Sequence, residues 1–168
     1  MEKKIWFSPE NKFTSFEVVE VLTGLKQVCL VIKFHLDNKE ILTLYRPENT
    51  LLVSIDPSIP KPQELYNDCA FSQQCNLLGW DQFLPVIPWS LDETDKGVIR
   101  PFLENVKQLE IFNFHQKALL SSDPVFWKTI AVADYVFGIG DRVCNDFLLS
   151  KEGTKVVDNG FSFLPGVD

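Results

Sequence analysis

Residues 133–163 read ADYVFGIGDRVCNDFLLSKEGTKVVDNGFSF and hold the pattern that decides the fold. The segment begins as the end of a helix, which Gly138 and Gly140 stop. It continues as two short apolar runs on either side of the turn Lys151-Glu152-Gly153. Apolar runs around a short polar turn that contains glycine predict a β-hairpin. The segment therefore predicts a compact hairpin that directly follows a helix.

Three aspartates accompany this predicted hairpin. Asp141 and Asp158 lie at its two ends, and Asp146 stands at the start of its first strand. Because a hairpin returns the chain on itself, we expect these carboxylates to lie close together and to repel one another unless a cation neutralises them. Ligand sets made only of oxygen are those that Mg²⁺ or Mn²⁺ prefers. The spacing leaves an alternative open, in which Asp141 caps a turn, Asp146 is solvated and residues 158–160 form only a tight turn.

The rest of the chain predicts an α+β fold. Before Pro47, β-branched and aromatic residues fill three runs separated by polar turns, and this pattern predicts an antiparallel meander with strands over 13–22, 27–36 and 40–46. The remaining predictions are a helix over 63–78, strands over 83–91 and 97–103, and helices over 103–120 and 125–137. In the helix over 63–78, we expect Leu65, Cys69 and Leu77 to mark an apolar face.

Composition and charge narrow the classes of partner. The chain has 168 residues, 45% hydrophobic and 23% charged, which are ordinary globular proportions, and a formal net charge of −7. So acidic a chain lacks the basic surface that nucleic acids and anionic membranes require. No apolar run approaches the ~18 residues of a membrane span, and the four cysteines show no CxxC spacing. We therefore expect a cytoplasmic protein with reduced thiols that binds neither nucleic acid nor membrane.

The segment over 133–163 resembles the catalytic and metal-binding loops of the phosphoinositide-kinase-like and HipA-type branch of the protein-kinase-like superfamily. Members of this branch carry a GDRxxxN-LL run, a short hairpin and an IDxG-x-F run. In the same register this chain has Gly140-Asp141-Arg142, Asp146, Leu148-Leu149 and residues 157–163. The resemblance implies a kinase-like fold, in which a small N-terminal antiparallel sheet with one helix precedes a truncated helical lobe that carries the catalytic-type hairpin.

A looser similarity extends upstream to about residue 40. Arg46, in the run Leu44-Tyr45-Arg46-Pro47, stands where a lysine of the family holds nucleotide phosphates. The resemblance implies that Glu64 or Asp68, four residues apart on the predicted helix, is the acidic partner of Arg46. It also implies a single kinase-like domain over residues 1–168, with a sheet-rich part over about 1–101 and a part with helix and hairpin over about 102–168.

The resemblance also implies roles for the three aspartates. Asp141 would orient the attacking hydroxyl and accept its proton. Asp158 would bind Mg²⁺ (or Mn²⁺) at the phosphates, and Asp146 would take the place of the residue on a second metal. The implied function is ATP-dependent transfer of the γ-phosphoryl group to a hydroxyl of a protein or of a small molecule.

Two departures from the family pattern favour other functions. Arg46 replaces the lysine, and an arginine is not equivalent to a lysine at a tight phosphate site; Asp146 replaces an asparagine or histidine. The alternative is a catalytically inactive pseudokinase that acts as a nucleotide-binding or protein-interaction module, and a third interpretation is a regulatory domain that keeps only the fold. Because the chain ends soon after Asp158, we expect a homodimer or a partner protein to complete the substrate lobe.

Overall fold

The computed structural model describes residues 15–23, 28–36, 39–50, 61–108, 124–150 and 153–160. Within these residues the chain is α+β, with antiparallel sheets and two α-helices, so the predicted fold class is confirmed at this level. The chain divides into two compact units, Met1–Lys61 with Ile87–Phe102 and Pro62–Val86 with Leu103–Asp168. No helix of the described part is both long and apolar enough to cross a lipid bilayer.

The first unit contains a five-stranded antiparallel sheet with the strand order β1-β2-β3-β5-β4. Its strands are β1 Ser15–Thr23, β2 Val28–Leu36, β3 Lys39–Pro47, β4 Ile87–Ser90 and β5 Lys96–Pro101. The predicted meander is confirmed, since β1 pairs with β2 and β2 pairs with β3 in antiparallel register. The turns predicted between these strands, over 24–27 and 37–38, lie outside the described residues.

This sheet is strongly curled around an aromatic core. Although β1 and β4 are the two edge strands, the ring centroids of Phe16 in β1 and Trp89 in β4 are 5.6 Å apart. Trp89 also makes edge-to-face contacts with Phe34 and Tyr45, with ring centroids at 5.2 and 5.3 Å. Edge-to-face packing is a favoured arrangement of aromatic rings because it brings a positive edge to a negative face. The curl thereby brings Trp89 against Phe34 and Tyr45, which are both buried.

The second unit contains both helices and a three-stranded antiparallel sheet with the order β6-β7-β8. The elements are α1 Lys61–Leu77, β6 Lys107–Gln108, α2 Pro124–Phe137, β7 Phe147–Ser150 and β8 Gly153–Val156. Helix α2 begins at Pro124, where a proline fits because the first helical N–H needs no partner. The predicted hairpin is confirmed as β7 and β8, and β6 adds a third strand that was not predicted.

Helix α2 packs the core of this unit through an apolar stripe. Phe126, Ile130, Ala133 and Phe137 recur at the spacing of one helical face; Ile130 and Ala133 are buried, and the two phenylalanines pack against the same core. From α1, the ring of Phe71 lies 5.1 Å from that of Phe137. Residues of the hairpin complete this core, so the hairpin is held against both helices.

The helix predicted over 103–120 is wrong at its beginning. Asn105 has a φ of 56°, a left-handed conformation that an α-helix of L-residues does not contain, and β6 follows directly. Because β6 pairs with β7, the free edge of the hairpin outweighs the local helix propensity of the segment. Residues 109–120 of this prediction lie outside the described part of the chain.

Two further predictions are wrong in detail. The strand predicted over 83–91 forms only as β4, while Phe83 makes a single parallel bridge to Val156. Pro85 lies between the two and has no N–H to donate to a strand ladder. In α1 the side chain of Leu77 is 78% exposed, whereas Cys75 is buried. The buried face of α1 therefore includes Cys75 in place of Leu77.

Helix α1 belongs to the second unit rather than to the sheet-rich part in which its residues were expected. The physical reason lies in its polar contacts within that unit. Nδ2 of Asn67 donates to the backbone oxygen of Gly160 at 3.2 Å, and Asp68 accepts hydrogen bonds from Asn159. The loop after β8 is thus bonded to α1, and this junction leads to the candidate site.

Candidate functional site

The hairpin brings the three predicted aspartates to one end of its ladder. Asp146 ends a short 3-10 turn immediately before β7, and Asp158 lies just after β8. Phe147 and Val156 are paired directly across the hairpin. The N–H of Val157 donates to the backbone oxygen of Asp146 at 2.8 Å. Residues that flank the two strands therefore meet, as the hairpin prediction requires.

Asp146 is the buried member of this group. Its residue is 7% exposed, and its Oδ2 accepts a hydrogen bond from the N–H of Val143 at 2.8 Å. The pKa of Asp146 is raised to about 6, mainly by burial; the charges of Asp158 and Asp141 also raise it, whereas the Val143 hydrogen bond and Arg142 lower it. Two like charges that oppose the ionisation of a third must lie close to it. The three aspartates thus form one electrostatic cluster, which we call the acidic cluster.

Arg142 connects α2 to the loop that carries Asp158. It pairs with both carboxylate oxygens of Asp134 in α2, at 2.7 and 3.3 Å, and its Nη2 donates to Oδ1 of Asn159 at 2.9 Å. Its Nη1 donates to the backbone oxygens of Val157 and Asp158, at 3.2 and 3.5 Å. A planar guanidinium suits such contacts because its donors are fixed in a fork. One side chain therefore joins α2 to the chain on both sides of Asp158.

No individual role was predicted from the sequence for Arg142, Asp134 or Asn159. The available signal was the position of an arginine beside Asp141 in a segment rich in acids. An arginine in such surroundings is suited to a bidentate pair with a carboxylate. The acid with which it pairs depends on the packing of α2 against the hairpin, and no local sequence pattern predicts that packing.

The backbone at Asp158 adopts an uncommon conformation. Its φ is 60°, in the left-handed region that few non-glycine residues adopt and that aspartate and asparagine enter more readily than most. Such conformations persist only where the surroundings stabilise them, and they concentrate at binding sites and at switches. Here the hydrogen bonds from Arg142 to the backbone and from Asn159 to Asp68 provide that stabilisation.

The predicted nucleotide-binding residues lie in different units. Arg46 is on β3 of the first unit, where it faces Val98 across the ladder. Glu64 and Asp68 are on α1 of the second unit. Asp68 is fully buried and bonded to Asn159, while Glu64 is partly exposed. The pairing of Arg46 with either acid stays a prediction.

A cavity of about 510 Å³ opens beside Arg142 on the α2 side of the loop. Its lining residues are Trp127, Ile130, Ala131, Asp134, Arg142, Val143, Cys144 and Phe147. The lining is mainly apolar, and its charged members are the Asp134–Arg142 pair. None of the three aspartates of the acidic cluster lines it, so it is separate from the predicted metal site.

The donor set of the acidic cluster fits Mg²⁺ as an ion that is shared with phosphate. No group of three histidine, cysteine or acidic side chains within the described ranges is arranged to hold an ion by itself. Mg²⁺ at nucleotide sites takes only one or two carboxylates, because phosphate oxygens and water fill its other positions. Asp146 and Asp158 supply that number of hard oxygen ligands. The pKa of Asp146 is raised mainly by burial, and the smaller repulsion from Asp158 and Asp141 is the part that a cation would relieve.

The residues of this site determine which chemistry it can carry out. The acidic cluster, the Arg142 contacts and the left-handed Asp158 are the features on which a function can be built. No protein-family model, no curated protein and no solved structure matches this chain.

Proposed function

We propose that this chain binds ATP together with Mg²⁺ and transfers the γ-phosphoryl group to a hydroxyl of a protein or of a small molecule. The observation that carries the proposal is the end of the β7–β8 hairpin, where the N–H of Val157, next to Asp158, donates to the backbone oxygen of the buried Asp146 at 2.8 Å and the charges of Asp158 and Asp141 disfavour the ionisation of Asp146. Carboxylates held together against their mutual repulsion are typical of cation sites. The resemblance of residues 133–163 to kinase-like loops supports the choice of phosphoryl transfer.

Each residue of the cluster has a distinct part in this function. Asp146 and Asp158 would hold the cation, and a bound Mg²⁺ would neutralise the charge on the phosphate oxygens. Asp141 is exposed in the loop after α2, where its carboxylate can accept the proton of an acceptor hydroxyl. Arg142 orients the loop and does not serve as a phosphate ligand, because its guanidinium is engaged by Asp134 and Asn159. The role of Arg46 in binding phosphate stays a prediction.

A second candidate function is an inactive nucleotide-binding or protein-interaction module. One observation favours it: Oδ2 of Asp146 is already bonded to the N–H of Val143 and lies 4.0 Å from Nη1 of Arg142. This carboxylate therefore stabilises its own turn, and it would keep this role in a protein that no longer binds a metal ion. Binding without transfer is the result that this second function predicts.

Nucleotide binding is tested by thermal unfolding of the whole chain with ATP and Mg²⁺ or Mn²⁺. A ligand present at 100 times its Kd stabilises the folded state by about 2.7 kcal/mol. We expect this stabilisation in the wild type and its loss in Asp158→Asn. The matched control is Asp81→Asn, which makes the same change at an exposed position of the same unit. Absence of any stabilisation at millimolar ATP and metal would overturn both phosphoryl transfer and nucleotide binding, and would leave only the protein-interaction module.

Phosphoryl transfer is tested with ATP labelled at the γ-phosphate. We expect transfer to an acceptor in the wild type, and we expect Asp141→Asn to abolish transfer while ATP still stabilises the protein. Transfer that survives Asp141→Asn contradicts the role of this carboxylate as the proton acceptor. Stabilisation by ATP without transfer in the wild type favours the inactive module.

A further inference from the structure

Two charged side chains bind Asn159 from opposite sides. On one side, Oδ1 of Asp68 accepts hydrogen bonds from the backbone N–H and from Nδ2 of Asn159, at 3.3 and 3.1 Å. On the other side, Oδ1 of Asn159 accepts the hydrogen bond from Arg142 at 2.9 Å. Asn159 is 1% exposed and Asp68 is 0% exposed. Hydrogen bonds to charged groups in such a setting are stronger than those between neutral groups.

The residue after Asn159 is also fixed to α1. The backbone oxygen of Gly160 accepts a hydrogen bond from Asn67 at 3.2 Å. A Cβ atom on Gly160 would lie 2.9 Å from the backbone oxygen of Glu64, so only glycine permits this approach. Residues 159 and 160 are therefore held against one turn of α1 by side chains and by close backbone packing.

These contacts act on Asp158 because it is the neighbour of Asn159 and has the left-handed backbone conformation. A strained conformation is kept only while its surroundings favour it. Without the bonds from Asp68, Asp158 could relax to a more extended backbone. The contacts of Asn159 therefore fix the backbone from which the carboxylate of Asp158 projects.

We propose that Asp68 is a positioning residue, which holds the Asp158 loop against α1 through Asn159 so that the carboxylate of Asp158 is placed for binding a metal ion. This inference deepens the proposed function and rests on it for its metal readout. It assigns Asp68 a role other than the pairing with Arg46 that the sequence suggested.

The test exchanges the carboxylate of Asp68 and the amide of Asn159. Asn159→Asp places a second carboxylate against Asp68, and the repulsion should free the loop. Asp68→Asn combined with Asn159→Asp removes the repulsion and restores a side-chain bond, because the amide at position 68 can donate to the new carboxylate, which still accepts from Arg142. Asn76→Asp, at an exposed position of α1, is the matched control for the added charge.

Two readouts are measured on each full-length variant. The first is amide hydrogen exchange of the peptide that spans 157–160, without any ligand. The second is the affinity for Mn²⁺ with ATP, followed by the paramagnetic signal of the metal. For Asn159→Asp we expect exchange to accelerate and the affinity to fall, each by about tenfold, which corresponds to a charged hydrogen bond. The double exchange should return both to within about threefold of the wild type, and Asn76→Asp should change neither.

The readouts separate this inference from the proposed function. If the wild type does not bind Mn²⁺ with ATP, the proposed function fails, and hydrogen exchange alone still decides whether Asp68 holds the loop. Unchanged exchange in Asn159→Asp, or a double exchange that does not restore protection, would overturn the positioning role. Should Asn159→Asp not fold, Asn159→Ala takes its place, because it removes the bond to Asp68 without adding a charge. Unchanged exchange in that variant would overturn the role equally.

Discussion

The two units differ in what they bury. Among the described residues, the first unit buries one polar side chain, Thr43, whose hydroxyl donates to the backbone oxygen of Ile32 at 3.2 Å. The second unit buries five, namely Asn67, Asp68, Ser72, Asp146 and Asn159. Buried polar groups are costly unless they are paired. The described core of the first unit is mainly apolar, with the hydroxyl of the buried Tyr45 donating to Asp95, whereas the second unit buries more polar side chains, two of them carboxylates.

The difference separates a scaffold from a site. In the second unit Asp68 and Asn159 bond to each other beside the left-handed Asp158, and Asn67 bonds to the backbone of Gly160. Networks of this kind favour one arrangement of a loop because each member has few other partners. Violations of simple packing rules are expected where function imposes its own demands. If the first unit is a scaffold and the second holds a site, substitutions in the two units should have different effects.

Phe34→Ala should produce the largest loss of stability. Phe34 is 1% exposed and its ring contacts those of Phe16 and Trp89. Truncation of a buried phenylalanine to alanine costs about 3–5 kcal/mol, and urea unfolding would measure it. Phe34→Leu, the matched control, should cost less because it leaves a smaller cavity. A loss below about 1 kcal/mol would contradict the view that the aromatic core holds this sheet together.

Arg142→Ala should destabilise the second unit by about 3 kcal/mol, since it leaves the carboxylate of Asp134 buried without its partner. The side chains of Arg142 and Asp134 are 11% and 20% exposed. Arg142→Lys should recover only part of this loss because an ammonium cannot make the forked contacts. The measurement is again urea unfolding. Equal stability of the lysine variant and the wild type would show that charge suffices and that the fork is unimportant.

The pH dependence of stability should reveal Asp146. Its pKa is raised from 3.8 to about 6 by burial and by Asp158 and Asp141, so the folded state binds this proton more tightly than the unfolded state. The contribution of Asp146 to stability therefore rises as the pH falls from above 6 toward 4. Asp146→Asn should raise the Tm near pH 8 and change it little near pH 4.5. An equal change at both values would contradict the raised pKa.

Asp146→Asn also sharpens the comparison of the two units. A substitution that stabilises the fold while it weakens the response to ATP and Mg²⁺ would mark Asp146 as a residue kept for function at the expense of stability. A matched substitution in the first unit has no such expectation, because its described core contains no buried carboxylate. Loss of stability near pH 8 would instead favour a purely structural role for Asp146 in its turn.

Local patterns in the sequence were sufficient for the elements that local physics controls. The meander and the hairpin were predicted because alternating or apolar runs end at polar turns, and the meeting of Asp146 and Asp158 follows from any such hairpin. The beginning of the helix predicted over 103–120 was wrong because β6 depends on pairing with β7, which lies far along the chain. Leu77 was misplaced because polar residues share the buried face of α1 and obscure its apolar period.

What the amino-acid sequence determined by itself is the α+β class, the order of most elements and the proximity of acids at the ends of one hairpin. Only the tertiary structure decided that Arg142 pairs with Asp134, that Asp68 holds Asn159 and that Asp158 takes a left-handed backbone. The physical reason is the distance along the chain over which each kind of interaction acts. Turns and strand periods act between neighbours in the chain, whereas a buried polar side chain finds its partner only after the helices have packed against the hairpin.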